Sequence, residues 1–277
     1  MLITESYTDI KTSYGTTMRV FIYHPKIPQY PQAKFPGVIV FSEIYQVTGP
    51  VERFAKLIAG HGYIVAAPSV YHNYESFEPF AYDGPGTDLG NKYKATKPLE
   101  SYDEDCKLAT DYLVSLPTCT GKIGATGMCL GGHIALRAAF DPRVKSAVTF
   151  FGTDIHSNTL GNTSDESLHS LARIKNGDLG GSSDTELVTI FGTLDPHVPP
   201  EGRDKIRATL REAGAFFSFV EIAGAQHAFV RDEFSKGRYD PAVTGLGLDM
   251  LYELFHRTLT LDLGDVDPAP VKIDNVC

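Results

Sequence analysis

KIGATGMCLGGHIALRAAF, residues 122–140, decides how this chain folds. Residues 123–126 form a short apolar run of strand length, and residues 134–140 favour a helix. Between them lies Gly127-Met128-Cys129-Leu130-Gly131-Gly132. A strand that turns directly into a helix crowds its own backbone. Gly127 and Gly131 lack the Cβ atoms that would collide there. Cys129, at the apex, then projects alone at the start of the new helix. The helix dipole and free N–H groups favour a thiolate at that point. A lone cysteine is most often a buried packing residue. Inside G-x-C-x-G-G, between a strand and a helix, it reads instead as a nucleophile elbow with sulfur in the usual place of oxygen.

The rest of the chain supplies layers around this turn. Residues 37–42 are a continuous apolar run of strand length, as expected of a strand covered on both faces, and residues 63–67, 144–151 and 187–191 read as further strands. Residues 216–222 form a further strand. Helices are expected at 50–61, 101–116, 201–213 and 241–259, each with apolar residues at helical spacing. Residues 7–12 and 17–23 flank Ser13-Tyr14-Gly15 as a hairpin. Strands alternating with helices predict an α/β fold, a mostly parallel twisted sheet with helices on both faces and an antiparallel N-terminal edge. No linker divides the chain, so residues 1–277 are expected to form a single domain. Two stretches interrupt the alternation. Residues 68–98, with four tyrosines and Gly84-Pro85-Gly86, read as a long loop or cap near a site. Residues 153–183, rich in Ser, Asn, Gly and Asp, carry a weak helix at 164–175. Residues 260–277 read as a tail.

Composition narrows the function. The net charge of −9 disfavours general nucleic-acid binding. No apolar run is long enough to span a membrane. The first residues, MLITESYTDIKTS, lack the features of a signal peptide. Four widely spaced cysteines without a C-x-x-C pair suit free thiols in a reducing compartment, hence the cytoplasm, and give no metal site. Nothing calls for a cofactor.

In an open parallel sheet, reactive groups gather at the carboxyl ends of the strands. Glu43, Cys129, Asp195 and His227 each follow a predicted strand. The order nucleophile, acid, base along the chain is that of the α/β-hydrolases. Cys129 would attack a carbonyl carbon, His227 would move the proton, and Asp195 would orient the imidazole. His197 competes with His227 as base, although it lies only two residues from Asp195. Two backbone donors must hold the oxyanion. Leu130 supplies one, and Ile44, after the strand at 37–42, is expected to supply the other.

Together, G-M-C-L-G-G, GTLDPHVP, G-A-Q-H-A-F and F-S-E-I-Y resemble the dienelactone hydrolase family (carboxymethylenebutenolidases) of the α/β-hydrolase superfamily. The resemblance implies a Cys-His-Asp hydrolase of ester or lactone bonds that works through a thioester. It makes Cys129, Asp195 and His227 the catalytic residues, and Glu43 the carboxylate that holds the resting thiol and takes its proton when substrate binds. It also implies arginines that clamp a substrate carboxylate. Arg231 occupies the H-x-x-x-R position of that pattern. The second arginine is absent: Pro68-Ser69-Val70-Tyr71-His72-Asn73 stands where Pro-Asp-Leu-Tyr-x-Arg is expected. Tyr71 and Asn73 are therefore expected to touch the substrate in its place. The implied partner is a small lactone or ester, handled by a monomer or homodimer. The rival reading is a non-catalytic ligand-binding or regulatory member of the fold. A redox-sensing Cys129 is a third.

Overall fold

A computed structural model describes residues 1–179 and 184–261. In chain order the elements are β1 (Leu2–Lys11), β2 (Thr17–Lys26), β3 (Phe35–Phe41), α1 (Gly49–Gly60), β4 (Ile64–Pro68), α2 (Gly84–Thr96), α3 (Leu99–Ser115), β5 (Cys119–Met128) and α4 (Leu130–Ala138). There follow β6 (Val144–Phe150), α5 (Ser170–Lys175), β7 (Glu186–Gly192), α6 (Pro200–Glu212), β8 (Phe216–Ile222) and α7 (Pro241–Phe255).

The strands form one eight-stranded sheet in the order β1-β2-β4-β3-β5-β6-β7-β8. β2 pairs antiparallel with both β1 and β4, and every other pairing is parallel. This is the mostly parallel sheet with an antiparallel N-terminal edge that the sequence predicts. β3 and β4 are buried along their whole length, because helices cover both faces. The pleat sorts their side chains. Val38 and Val40 pack with α1 and α7 residues such as Phe54, Ile58 and Leu254. Ile39 and Phe41 pack on the other face with α3 and α4 residues such as Tyr102, Leu113 and Ile134. β3 and β5 lie at the centre, with Phe41 in register opposite Gly127. The elbow thus opens from the middle of the sheet, its best-supported part. No helix among the described residues is long and apolar enough to cross a membrane.

Three expectations need correction. Residues 68–98 are not a loop throughout, since α2 occupies Gly84–Thr96. Its three glycines, Gly84, Gly86 and Gly90, depress helix propensity and hid it. Asp83 caps it by accepting the Gly86 N–H at 2.8 Å, and Pro85 fits the first turn. The last helix ends at Phe255 and continues as a π-helical turn, His256–Thr260. The weak helix at 164–175 resolves into a 3₁₀ turn, Glu166–Leu168, and α5. Of the expected tail, residues 262–277 lie outside the described residues.

Candidate active site

Cys129 sits between β5 and α4 at φ 59° and ψ −122°, a backbone conformation that L-residues avoid. Hydrogen bonds on both sides impose it. The Cys129 N–H donates to Phe150 O at 3.1 Å, and its carbonyl accepts from Gly132, His133 and Thr153 at 3.0–3.3 Å. The turn also presses against β3. A Cβ on Gly131 would lie 2.1 Å from Phe41 O, and one on Gly127 would lie 2.3 Å from Gly131 O. Those neighbours are backbone atoms, one of the buried strand β3 and one of the first turn of α4, and have little room to move aside. Gly131→Ala should therefore destabilise the protein by about 3 kcal/mol, the upper end of overpacking costs. Urea denaturation would measure it, and a loss below about 1 kcal/mol would mean that the turn relaxes freely.

His227, in the turn after β8, places Nδ1 2.8 Å from Asp195 Oδ2. Asp195, in the turn after β7, uses Oδ1 to accept the His197 N–H at 2.8 Å. Both triad candidates are buried. Burial alone would push the His227 pKa down. The attraction of the Cys129 sulfur, then hydrogen bonds to Asp195 and Cys129, outweigh it and raise the value to about 10. The arrangement therefore favours a charged imidazolium beside the sulfur. His197 lies with its ring centre 4.4 Å from that of His227. Burial, then the charge of His227, lowers its pKa. His197 reaches Asp195 through its backbone N–H, and His227 does so through its ring. This geometry separates the two rival bases.

Glu43 follows β3 and is 2% exposed. Its oxygens accept from Arg231 Nη1 at 3.2 and 3.4 Å and from the Tyr82 hydroxyl at 3.0 Å. The family-implied hold of Glu43 on the resting thiol is thus not the arrangement here. A buried arginine 188 residues away in sequence outcompetes a neutral thiol for the carboxylate. Arg231 also lies 4.4 Å above the Tyr82 ring, and its buried Nε has no hydrogen-bond partner.

Cys129, His227, Glu43, Ile44, Arg231 and His197 line a single cavity of about 230 Å³. Leu130, the first residue of α4, is buried behind Cys129. Ile44 is fixed by α2: a Cβ on Gly90 would lie 2.3 Å from Ile44 O. Tyr71 and Asn73 are not among the residues that line this cavity. Tyr71 is fully buried, and its hydroxyl donates to Gly90 O at 2.9 Å, which pins α2 from behind. Asn73 Oδ1 accepts from Ser101 Oγ at 3.3 Å, at the start of α3.

Other residues take their place. Lys94 on α2, and Lys236 and Arg238 beyond Arg231, also line the cavity, as do Thr87, Asn91 and Thr153. Lys94 bonds both Asp154 oxygens at 2.9 Å. The sequence reading missed Lys94 because it treated its segment as loop. The Asp83 cap followed by Pro85 was the signal that could have found α2, and with it this lysine. Among the described residues no cluster of His, Cys, Asp and Glu could hold a metal ion.

Known proteins carry related chains. The sequence profile of the Dienelactone hydrolase family matches residues 18–259. A Saccharomyces cerevisiae protein named "Putative carboxymethylenebutenolidase" is 57% identical over 279 aligned residues, covering 100% of both chains. An Escherichia coli (strain K12) protein of the same name is 28% identical over 235 residues, 83% of this chain and 79% of its own. The solved structure of a "Putative Dienelactone Hydrolase" from Klebsiella pneumoniae superposes with a TM-score of 0.75 at 22% identity, covering 93% of this chain and 100% of that one. That likeness is one of fold.

Proposed function

The chain belongs to the dienelactone hydrolase family, and from that premise we propose that Cys129, His227 and Asp195 form its hydrolytic triad. The enzyme is a hydrolase of carboxylic ester or lactone bonds. One observation carries the triad reading. A strained apical cysteine and an imidazole held by a buried carboxylate border the same cavity.

The steps follow from the residues. The Cys129 thiolate attacks the carbonyl carbon while imidazolium His227 keeps the proton. The resulting oxyanion lies at the N–H groups of Leu130 and Ile44. Collapse breaks the C–O bond, and His227 gives its proton to the leaving oxygen. The remaining thioester is attacked by water, whose proton goes to His227. Expulsion of the thiolate then releases the acid. Asp195 keeps Nδ1 protonated throughout, so that Nε2 faces the chemistry.

Four cationic side chains line the cavity; Lys94 is paired with Asp154 and Arg231 with Glu43, which leaves Lys236 and Arg238 as the excess positive charge. This favours a lactone or ester that carries a carboxylate, and the unpartnered Arg231 Nε is a donor for it. An incoming carboxylate competes with Glu43 for Arg231. The free thiols Cys106, Cys119 and Cys129 suit the cytoplasm.

Arg231→Met should lower kcat/KM for dienelactone by about 10- to 100-fold, the worth of a charge-assisted hydrogen bond. Hydrolysis of neutral p-nitrophenyl acetate should fall less, since it loses only the Arg231–Glu43 pairing and not a carboxylate contact. Equal losses on both substrates would remove the anion clamp from the reading. Failure of the wild type to turn over either substrate would remove hydrolysis itself.

A further inference from the structure

The inner cavity, about 230 Å³, is smaller than the range of roughly 300–1,000 Å³ usual for small-molecule sites. Next to it lies a second hollow of about 360 Å³, lined mainly by Pro50, Pro79, Phe80, Ala81, Tyr82 and Phe234. Tyr82 is the partition between them. Its ring centre lies 4.4 Å from that of Tyr45, and Arg231 lies over the same ring, both being residues of the inner cavity. It also stacks on Phe234 of the outer groove, with centroids 5.7 Å apart. The Tyr82 hydroxyl reaches Glu43 at 3.0 Å and Thr48 at 2.7 Å, so it belongs to both spaces.

The two spaces differ in polarity. The inner one gathers cations. The charged residues of the groove are acidic: Asp83 is engaged as the cap of α2, and Glu233 is paired with Arg53 at 2.9 Å. A substrate carboxylate is therefore drawn inward and repelled from the groove, which is left with apolar walls.

We propose that this groove is an acyl subsite, taking an aliphatic or aryl substituent on the acyl part of the ester. The proposal rests on the hydrolytic reading of Cys129. The leaving oxygen must lie within reach of His227 to receive its proton. The ring neighbours of His227 are Asp195, His197 and Phe151, none of which lines the groove. The alcohol part stays on that side, and the acyl part runs past Glu43 toward Tyr82, whose ring closes the way to the groove and must turn aside to admit it.

The test compares p-nitrophenyl acetate with p-nitrophenyl hexanoate. Wild type should prefer the hexanoate in kcat/KM by about tenfold or more, since four added methylenes gain apolar burial. Ala81→Trp fills the groove without touching the catalytic residues. It should abolish that preference and leave acetate hydrolysis within about twofold. Phe234→Ser alters a side chain that is 61% exposed, so folding is not at stake, and it should cut the preference about threefold. A wild type that hydrolyses acetate in a Cys129-dependent way but shows no preference for hexanoate overturns the subsite and leaves the hydrolase reading intact. An unchanged preference in both variants also overturns it. So does a change in sedimentation with Ala81→Trp at a constant ester profile, which would make the groove a contact between copies.

Discussion

Cys129→Ala should lower kcat for p-nitrophenyl acetate by about 10⁴-fold or more, the scale seen when a nucleophile is removed from a unit that acts together. The remaining donors can still bind the ester, but no covalent step is left to them. The backbone should hardly notice, although buried His227 loses the sulfur that helps to raise its pKa. Alanine keeps a Cβ at φ 59°, so the strain is unchanged, and the thiol itself is only partly buried. Glycine separates the two roles of this position. Cys129→Gly should be equally inactive yet more stable by about 1 kcal/mol, because glycine tolerates positive φ where a side chain is strained. Thermal melts of the three proteins beside their rates would check both parts. An alanine variant with more than about a tenth of wild-type activity would sink the nucleophile assignment.

Local chemistry made some of this legible in the sequence. The elbow depends on glycines within a few residues of Cys129, and Asp195 and His227 each follow a strand that periodicity reveals. Other features depend on distance along the chain. Glu43 and Arg231 lie 188 residues apart and meet only because the loops after β3 and β8 converge over the sheet. Tyr71 and Asn73 do not line the cavity, because a motif position does not say which way the loop after β4 turns. Here it sends the Tyr71 hydroxyl behind α2 rather than into the cavity. The missing arginine also misled. The cavity has a cation of its own in Lys94, which is paired with Asp154 and sits on a helix whose glycines masked it. The two-residue spacing from Asp195 already set His197 behind His227 as a base, and in the structure the His227 ring, but only the His197 backbone, meets Asp195.

Asp195→Asn should cost about 10⁴-fold in kcat while leaving the packing in place, as expected when an imidazole is held in the wrong tautomer. The direction of the amide is set by a second bond. Asp195 Oδ1 accepts the His197 backbone N–H at 2.8 Å, so the asparagine must keep its carbonyl oxygen there. Its NH₂ then faces His227 Nδ1, where the carboxylate accepted a hydrogen at 2.8 Å. Nδ1 becomes the acceptor, the proton moves to Nε2, and a neutral His227 can no longer take the thiol proton. Stability should respond in a pH-dependent way. The folded His227 pKa of about 10 lies above its ordinary value of 6.5. Its contribution is therefore fully present below about pH 6.5 and lost as pH rises through about 10. Asp195 supplies part of that shift. The stability gap between wild type and Asp195→Asn should thus be widest below pH 6.5 and narrow toward pH 10. Urea unfolding at pH 6 and pH 10 would measure it. A gap that widens with pH, or an asparagine variant within about tenfold of wild-type kcat, would mean that Asp195 does not hold a charged His227.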